Sequence, residues 1–297
     1  LIAHAMMIAH FKGNGVRLSP EQLPEVHARV VRASHVLGME TVPEVYVVQA
    51  GGMLNAFATK VLGRNFVIVF SDLLDACDPN GREMDMILGH ELGHVALGHL
   101  KWLMFLAPAR VLPWLGSAYS RACEYSCDRC GAEVVRDLTV ASRGLAILAA
   151  GGKCAARMNL NAFVRQVEDS GGFWASIYEL NASHPFLSKR VAALVNWKNP
   201  GTVPVPGRNP LAYPLAPFFG VASPAGGGAA MLFVVAMVGM LAAIAIPQFQ
   251  AYRAKADQAA IEQDLSGTLE MLRVRAVAYE AESGGWPCDV ESLDFAE

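Results

Sequence analysis

The sequence predicts an α+β chain, helix-rich around a small mixed sheet, with one C-terminal membrane-crossing helix that runs on as an amphipathic helix. Three observations carry this. Long stretches space their apolar residues at helical intervals, as at Leu23, Val26, Val30 and Val31. Two short β-branched and aromatic runs, "PEVYVVQA" and "NFVIVFSDLL", are bounded by Gly, Pro and Asn. Residues 229–246, "AAMLFVVAMVGMLAAIAI", hold no charged or strongly polar side chain, close to the roughly 20 residues a spanning helix needs.

The 297 residues are 53% hydrophobic and 17% charged, too apolar for an ordinary soluble domain, yet the first two-thirds is too charged for a polytopic membrane protein. This balance predicts a globular domain over 1–199, a Pro/Gly-rich linker over 200–228 and a membrane helix with its tail over 229–297. A net charge of -3 without a basic run argues against a nucleic-acid partner. The six cysteines lack the spacing of a disulfide framework and read as reduced thiols, which places the globular domain on the cytosolic side. The opening at Leu1 fits a fragment or a processed form.

In chain order, residues 1–11 are apolar but short, either the end of a membrane helix or a helix packed on the core. Ser19-Pro20 starts a helix and Gly38 stops it. The two strand runs follow, then a turn at Pro79 to Gly81 and a long helical pattern through "MILGHELGHVALGHLKW". Trp102 to Leu115 reads as an interfacial or buried hairpin. "SAYSRACEYSCDRCGAEVV" resumes helix, which continues to about residue 199.

Chemistry is concentrated at His90, Glu91 and His94. Two histidines four residues apart on a helix stack their imidazoles one turn apart on one face, close enough to share an ion. Glu91, next to the first, can take a proton from water there. Zinc needs a third protein ligand if one position is to stay open. His99 fails as that ligand, because a third histidine in the known short pattern stands six residues after the second ligand, where this chain has Leu100. A carboxylate on a second helix is the alternative, offered by Glu124, with Asp128 one turn on to orient a ligand histidine. A thiolate site from Cys123, Cys127 and Cys130 lacks a completing pair.

"HELGH" followed by "SRACEYSCD" resembles the membrane zinc metallopeptidases that include the HtpX heat-shock protease and the prenyl-protein endopeptidases, peptidase family forty-eight of the gluzincin clan. The resemblance covers about residues 20–198 and departs at Cys127, where alanine is usual. It implies a zincin-like domain with one zinc ion per chain, bound by His90, His94 and Glu124 with Glu91 as general base. It also implies that Asn55 and Ala56 of "NAFAT" hold an extended substrate, that His184 stabilises the oxyanion, and that Arg190 supports the site. The implied activity is a membrane-anchored endopeptidase acting on protein or peptide substrates, in membrane protein quality control. The alternative is a degenerate peptidase fold serving as a scaffold or pilus-associated binding module.

The tail is similar to the amino-terminal helix of type IV pilins at Ala-Ala-Ile-Ala-Ile-Pro-Gln, residues 242–248, but lacks their basic cleavage site and early glutamate. It reads as an anchor whose amphipathic continuation can meet a partner. The resulting expectation is a single-pass protein of the bacterial inner membrane with its peptidase domain facing the cytosol.

Overall fold

The computed structural model describes residues 2–61, 63–105, 115–219 and 227–288, with backbone only for 2–5, 103–105, 218 and 227–237. The chain divides into two units, Leu1–Phe233 and Val234–Glu297.

The first unit is built on a four-stranded mixed sheet. Its strands are β1 (Val16–Arg17), β2 (Glu44–Val48), β3 (Ala56–Val61) and β4 (Arg64–Phe70), in the order β1-β2-β4-β3. β2 runs parallel to β4, while β1 and β3 are antiparallel to their neighbours, so β3 is an edge. Alternation splits the apolar run of β4 between two cores: Val67 and Val69 face one way, Phe66 and Ile68 the other. Both faces are covered, which is why these strands read as unbroken apolar runs. Helix α1 (Ile2–Asn14) covers one face through Ile8 and Phe11. That packing selects the core-bound reading of the amino-terminal segment.

Helix α2 (Pro24–Val36) starts five residues later than Ser19 suggests. The Ser19 hydroxyl accepts from the amides of Glu21 and Gln22 and closes a turn, and Leu23 adopts φ 52° before Pro24 opens the helix. Gly38 ends it at φ 65°. Arg29 reaches from α2 to the carbonyls of Pro79 and Gly81 and to Asp85, pinning the turn before α4 (Glu83–Ala96). Between them lies α3 (Ser71–Ala76). The long helical pattern breaks at Gly98, whose φ of 70° turns the chain into α5 (His99–Phe105).

Helix α4 is the centre of the unit. Leu88 and Leu92 pack toward the sheet, and Met86 packs toward α6 (Leu115–Val135) and α7 (Leu138–Ala150). The helix is buried nearly all round, as its apolar interleaving requires. Its approach to α6 is set by glycine: a Cβ at Gly89 would lie 2.9 Å from the Gly131 Cα, and one at Gly93 would lie 2.9 Å from the Cys130 Cβ.

The remaining body comprises α8 (Gly152–Ala155), α9 (Leu160–Arg165), a 3-10 turn (Gln166–Gly171), α10 (Phe173–Asn181) and α11 (Leu187–Lys198). Residues 106–114, in the expected hairpin, lie outside the described residues. The segment expected as a linker is packed from 203 to 217. The Val203 amide and carbonyl bond Asn196, Arg208 pairs with Glu179, and α12 (Ala212–Phe219) buries Ala212 and Ala216 against Ile177 and Leu180 of α10. Small side chains make this contact, so a Pro/Gly-rich composition conceals it.

The second unit is largely α13 (Gly227–Ser283), with Pro247 inside it and exposed apolar residues such as Ile244, Phe249 and Leu265 along it. The expected span 229–246 enters this helix, but the side chains of 229–237 lie outside the described residues. Among the described residues no helix is long and apolar enough to cross a membrane. Polar residues arrive soon after Pro247, and the described apolar stretch before them is too short to span.

Candidate active site

The 3.6-residue period of α4 brings His90 and His94 to one side, with ring centroids 5.1 Å apart, and the close approach of α6 brings Glu124 against both. The Nε2 of His90 lies 3.4 Å from Glu124 Oε2, and that of His94 lies 3.3 Å from Oε1. Two tetrahedral ligand atoms about 2.0–2.1 Å from one zinc ion sit roughly 3.4 Å apart, so this donor set has the spacing of a zinc site. The carboxylate is buried as well: Glu124 Oε2 makes no hydrogen bond and is balanced by the Arg190 guanidinium at 3.0 Å. Each carboxylate oxygen thus faces one imidazole nitrogen, Oε2 that of His90 and Oε1 that of His94, a buried donor set that a cation between them would satisfy.

The site's charges support one another. Burial pulls His90 down, but hydrogen bonds to Asp128 and Glu124 outweigh it and hold the ring up at about 9, against the opposition of Arg190. Burial pushes Glu124 up, yet His90, His94 and Arg190 hold its carboxyl well below the usual carboxylate range. With zinc bound, the ion would take the place of the proton on the histidines.

Behind the ligands, His90 Nδ1 donates to Asp128 Oδ1 at 2.9 Å. Arg190, from α11, grips Asp128 with two bonds of 2.8 and 2.6 Å and lies 3.0 Å from Glu124 Oε2. Its Nη2 is also 3.2 Å from His90 Nδ1. That nitrogen already spends its proton on Asp128, so the approach is proximity between two donors and not a hydrogen bond. Burial opposes the charge on Asp128, and Arg190 restores it, holding the carboxyl below its ordinary value.

A cavity of about 540 Å³ opens over this cluster, lined by Asn55, Ala56, Glu91, His184 and the ligand side chains. Asn55 and Ala56 stand where β3 begins, at the edge of the sheet. His184 is largely exposed, with Nε2 3.5 Å from Glu124 Oε1 and Nδ1 2.9 Å from the Ser183 hydroxyl. All nine residues singled out in the sequence therefore meet at or directly behind one cleft.

Other residues contribute to the site without a role assigned from the sequence. Arg121, three residues before Glu124, donates to the carbonyls of Glu179, Leu180 and Ala182 at 2.7, 3.0 and 2.8 Å, and so holds the chain that leads into His184. Glu179 is fully buried and paired through Oε2 with Lys189 and Arg208, both at 2.8 Å. His99, rejected as a ligand on spacing, is nonetheless in contact: its Nδ1 is 3.4 Å from His94 Nδ1 and 3.5 Å from the Cys127 sulfur. Burial and the neighbouring His94 lower it to about 4, so the ring is neutral.

Comparison with known proteins adds an independent line. A plastoglobule-localized metallopeptidase 48, a chloroplastic protein of Arabidopsis thaliana, is 28% identical over 222 residues. The match covers 65% of this chain and 62% of that relative, so the chain spans less than two thirds of the relative's length. No solved structure gives a significant match. The model of Peptidase family M48 matches residues 20–109 and 100–198, a stretch that contains the strand edge, both helices of the cluster and His184. On that extent of match the chain belongs to Peptidase family M48, a family of metallopeptidases.

Proposed function

We propose that the chain is a zinc-dependent endopeptidase that cuts internal bonds of protein substrates laid along β3, with one ion held by His90, His94 and Glu124. The observation that carries this is the spacing of those three side chains, His90 and His94 at 3.4 and 3.3 Å from the Glu124 oxygens, in a cleft bordered by a strand edge. Zinc held there supplies Lewis acidity, polarising a carbonyl and bringing the pKa of water to about 7. Glu91 takes the proton of the attacking water and hands it to the leaving amine. His184 offers a ring N–H to the developing oxyanion, and its exposure leaves it free to turn toward substrate. Asn55 and Ala56 hold the substrate backbone in register by adding it as a strand. Asp128 and Arg190 fix the His90 ring and its tautomer.

The reading extends to a tether: residues 229–246 anchor the protein in a bacterial inner membrane with the peptidase facing the cytosol, where quality control supplies unfolded substrates. Its support is the uncharged stretch itself and the absence of pairing among the six thiols. The pilin-like helix beyond it is free to meet a partner. The test is incubation of purified full-length protein with a denatured substrate, with and without a zinc chelator. Cleavage that stops with chelator, and a Glu91→Gln variant that keeps zinc but does not cut, are expected. Full activity in Glu91→Gln would refute the assignment of the base.

A further inference from the structure

We propose that His99 is a positioning residue for His94, its Nδ1 accepting the hydrogen bond from His94 Nδ1–H that fixes the ring opposite Glu124. This rests on the zinc reading above. A neutral imidazole carries one ring proton, so a His94 whose Nε2 faces the ion carries it on Nδ1 and needs an acceptor there. His90 meets that demand with the Asp128 carboxylate, 2.9 Å from its Nδ1. At His94 the corresponding place is held by His99 Nδ1, 3.4 Å away, with the two rings edge to face at 75°. The distance is at the loose end of the hydrogen-bonding range.

The fold explains how a residue five positions on returns to the same ring. Gly98, at φ 70°, follows the end of α4 and turns the chain so that α5 begins with His99 beside His94. Two neighbours hold it: the Cys127 sulfur at 3.5 Å and the Tyr119 ring, edge-on at 6.4 Å. The single lone pair on His99 Nδ1 is within reach of both the His94 Nδ1–H and the Cys127 thiol, and the imidazole N–H is the stronger donor. In the proposed arrangement that lone pair accepts from His94, and the His99 proton sits on Nε2.

The test is zinc affinity by competition with a chromogenic chelator, measured on the full chain with circular dichroism as the check on folding. Removing such a partner weakens metal binding roughly 10- to 100-fold, so His99→Leu should lose that much while His99→Asn, whose Oδ1 takes the place of Nδ1, stays within about 3-fold. Should the leucine variant not fold, His99→Gln replaces it, since its oxygen reaches past the Nδ1 position and should fail like leucine. Unchanged affinity in His99→Leu, or equal loss in the asparagine and glutamine variants, would overturn the proposal and leave the zinc site standing. Two zinc ions per chain, the second lost in Cys127→Ala, would also overturn it by making His99 a ligand. Wild-type protein that takes up no zinc would overturn the zinc reading itself.

Discussion

Replacing Gly93 by alanine tests whether the approach of α4 to α6 sets the metal-binding distances. The new Cβ would lie 2.9 Å from the Cys130 Cβ, 3.2 Å from its sulfur and 3.3 Å from the Cys127 Cα. Carbon atoms settle at about 3.5–4.0 Å, so the helices must part by roughly 0.5 Å or more. Glu124 and its histidine partners, now 3.3 and 3.4 Å apart, would then exceed the tolerance of about 0.2 Å that a metal site allows. Two stability effects oppose each other: overpacking costs about 1–3 kcal/mol, and alanine in place of glycine returns about 1 kcal/mol of helix propensity. The net loss is about 0–2 kcal/mol, so a melting curve decides little. Zinc affinity decides: a fall of about 10-fold or more is expected, comparable to losing a supporting hydrogen bond. Equilibrium dialysis against a competing chelator measures it, with Gly13→Ala as control because a Cβ there meets nothing within 4 Å. Wild-type affinity in Gly93→Ala would refute the argument.

Burial pushes Glu179 up, but Lys189 and Arg208 hold it below the ordinary carboxylate range. A lowered folded value means stabilisation that is complete above the unfolded value of about 4.3 and is lost as pH falls through the folded one. Wild-type protein should therefore lose more urea resistance between pH 5 and pH 3 than Glu179→Gln, which should itself cost about 3 kcal/mol at pH 7 by stranding Lys189. Arg121→Ala removes a charged donor from three carbonyls and should cost about 2–3 kcal/mol. Limited proteolysis should then cut at residues 182–186, with kcat reduced more than zinc affinity. Chelation should lower the melting temperature, and zinc at 100 times its Kd should restore about 2.7 kcal/mol. Glu124→Gln should abolish that response.

What the sequence shows of this site is what helical period can carry. His90 and His94 are readable because four residues make about one turn, and Glu124 with Asp128 for the same reason on α6. That these two faces meet is not local information. It entered through a resemblance, and its physical cause is the glycine contact at Gly89, Gly93 and Gly131, unremarkable until the neighbouring helix is in place. His99 shows the limit from the other side: spacing dismissed it, and the turn at Gly98 brings its ring to His94. The packing of residues 203–217, within the expected linker, was hidden for a related reason. Composition reports backbone freedom, whereas Ala212 and Ala216 reveal their role only beside Ile177 and Leu180. The Glu179 cluster joins residues 10 and 29 positions apart and leaves no pattern at all.

The placement of β3 has a bearing on what the proposed enzyme would spare. A sheet rim can recruit only a backbone whose own amides are unengaged, so helices and paired strands offer it nothing to grasp. Discrimination would then rest on conformation ahead of side-chain identity: intact bystanders survive, and a damaged protein is consumed at the pace of its own unravelling.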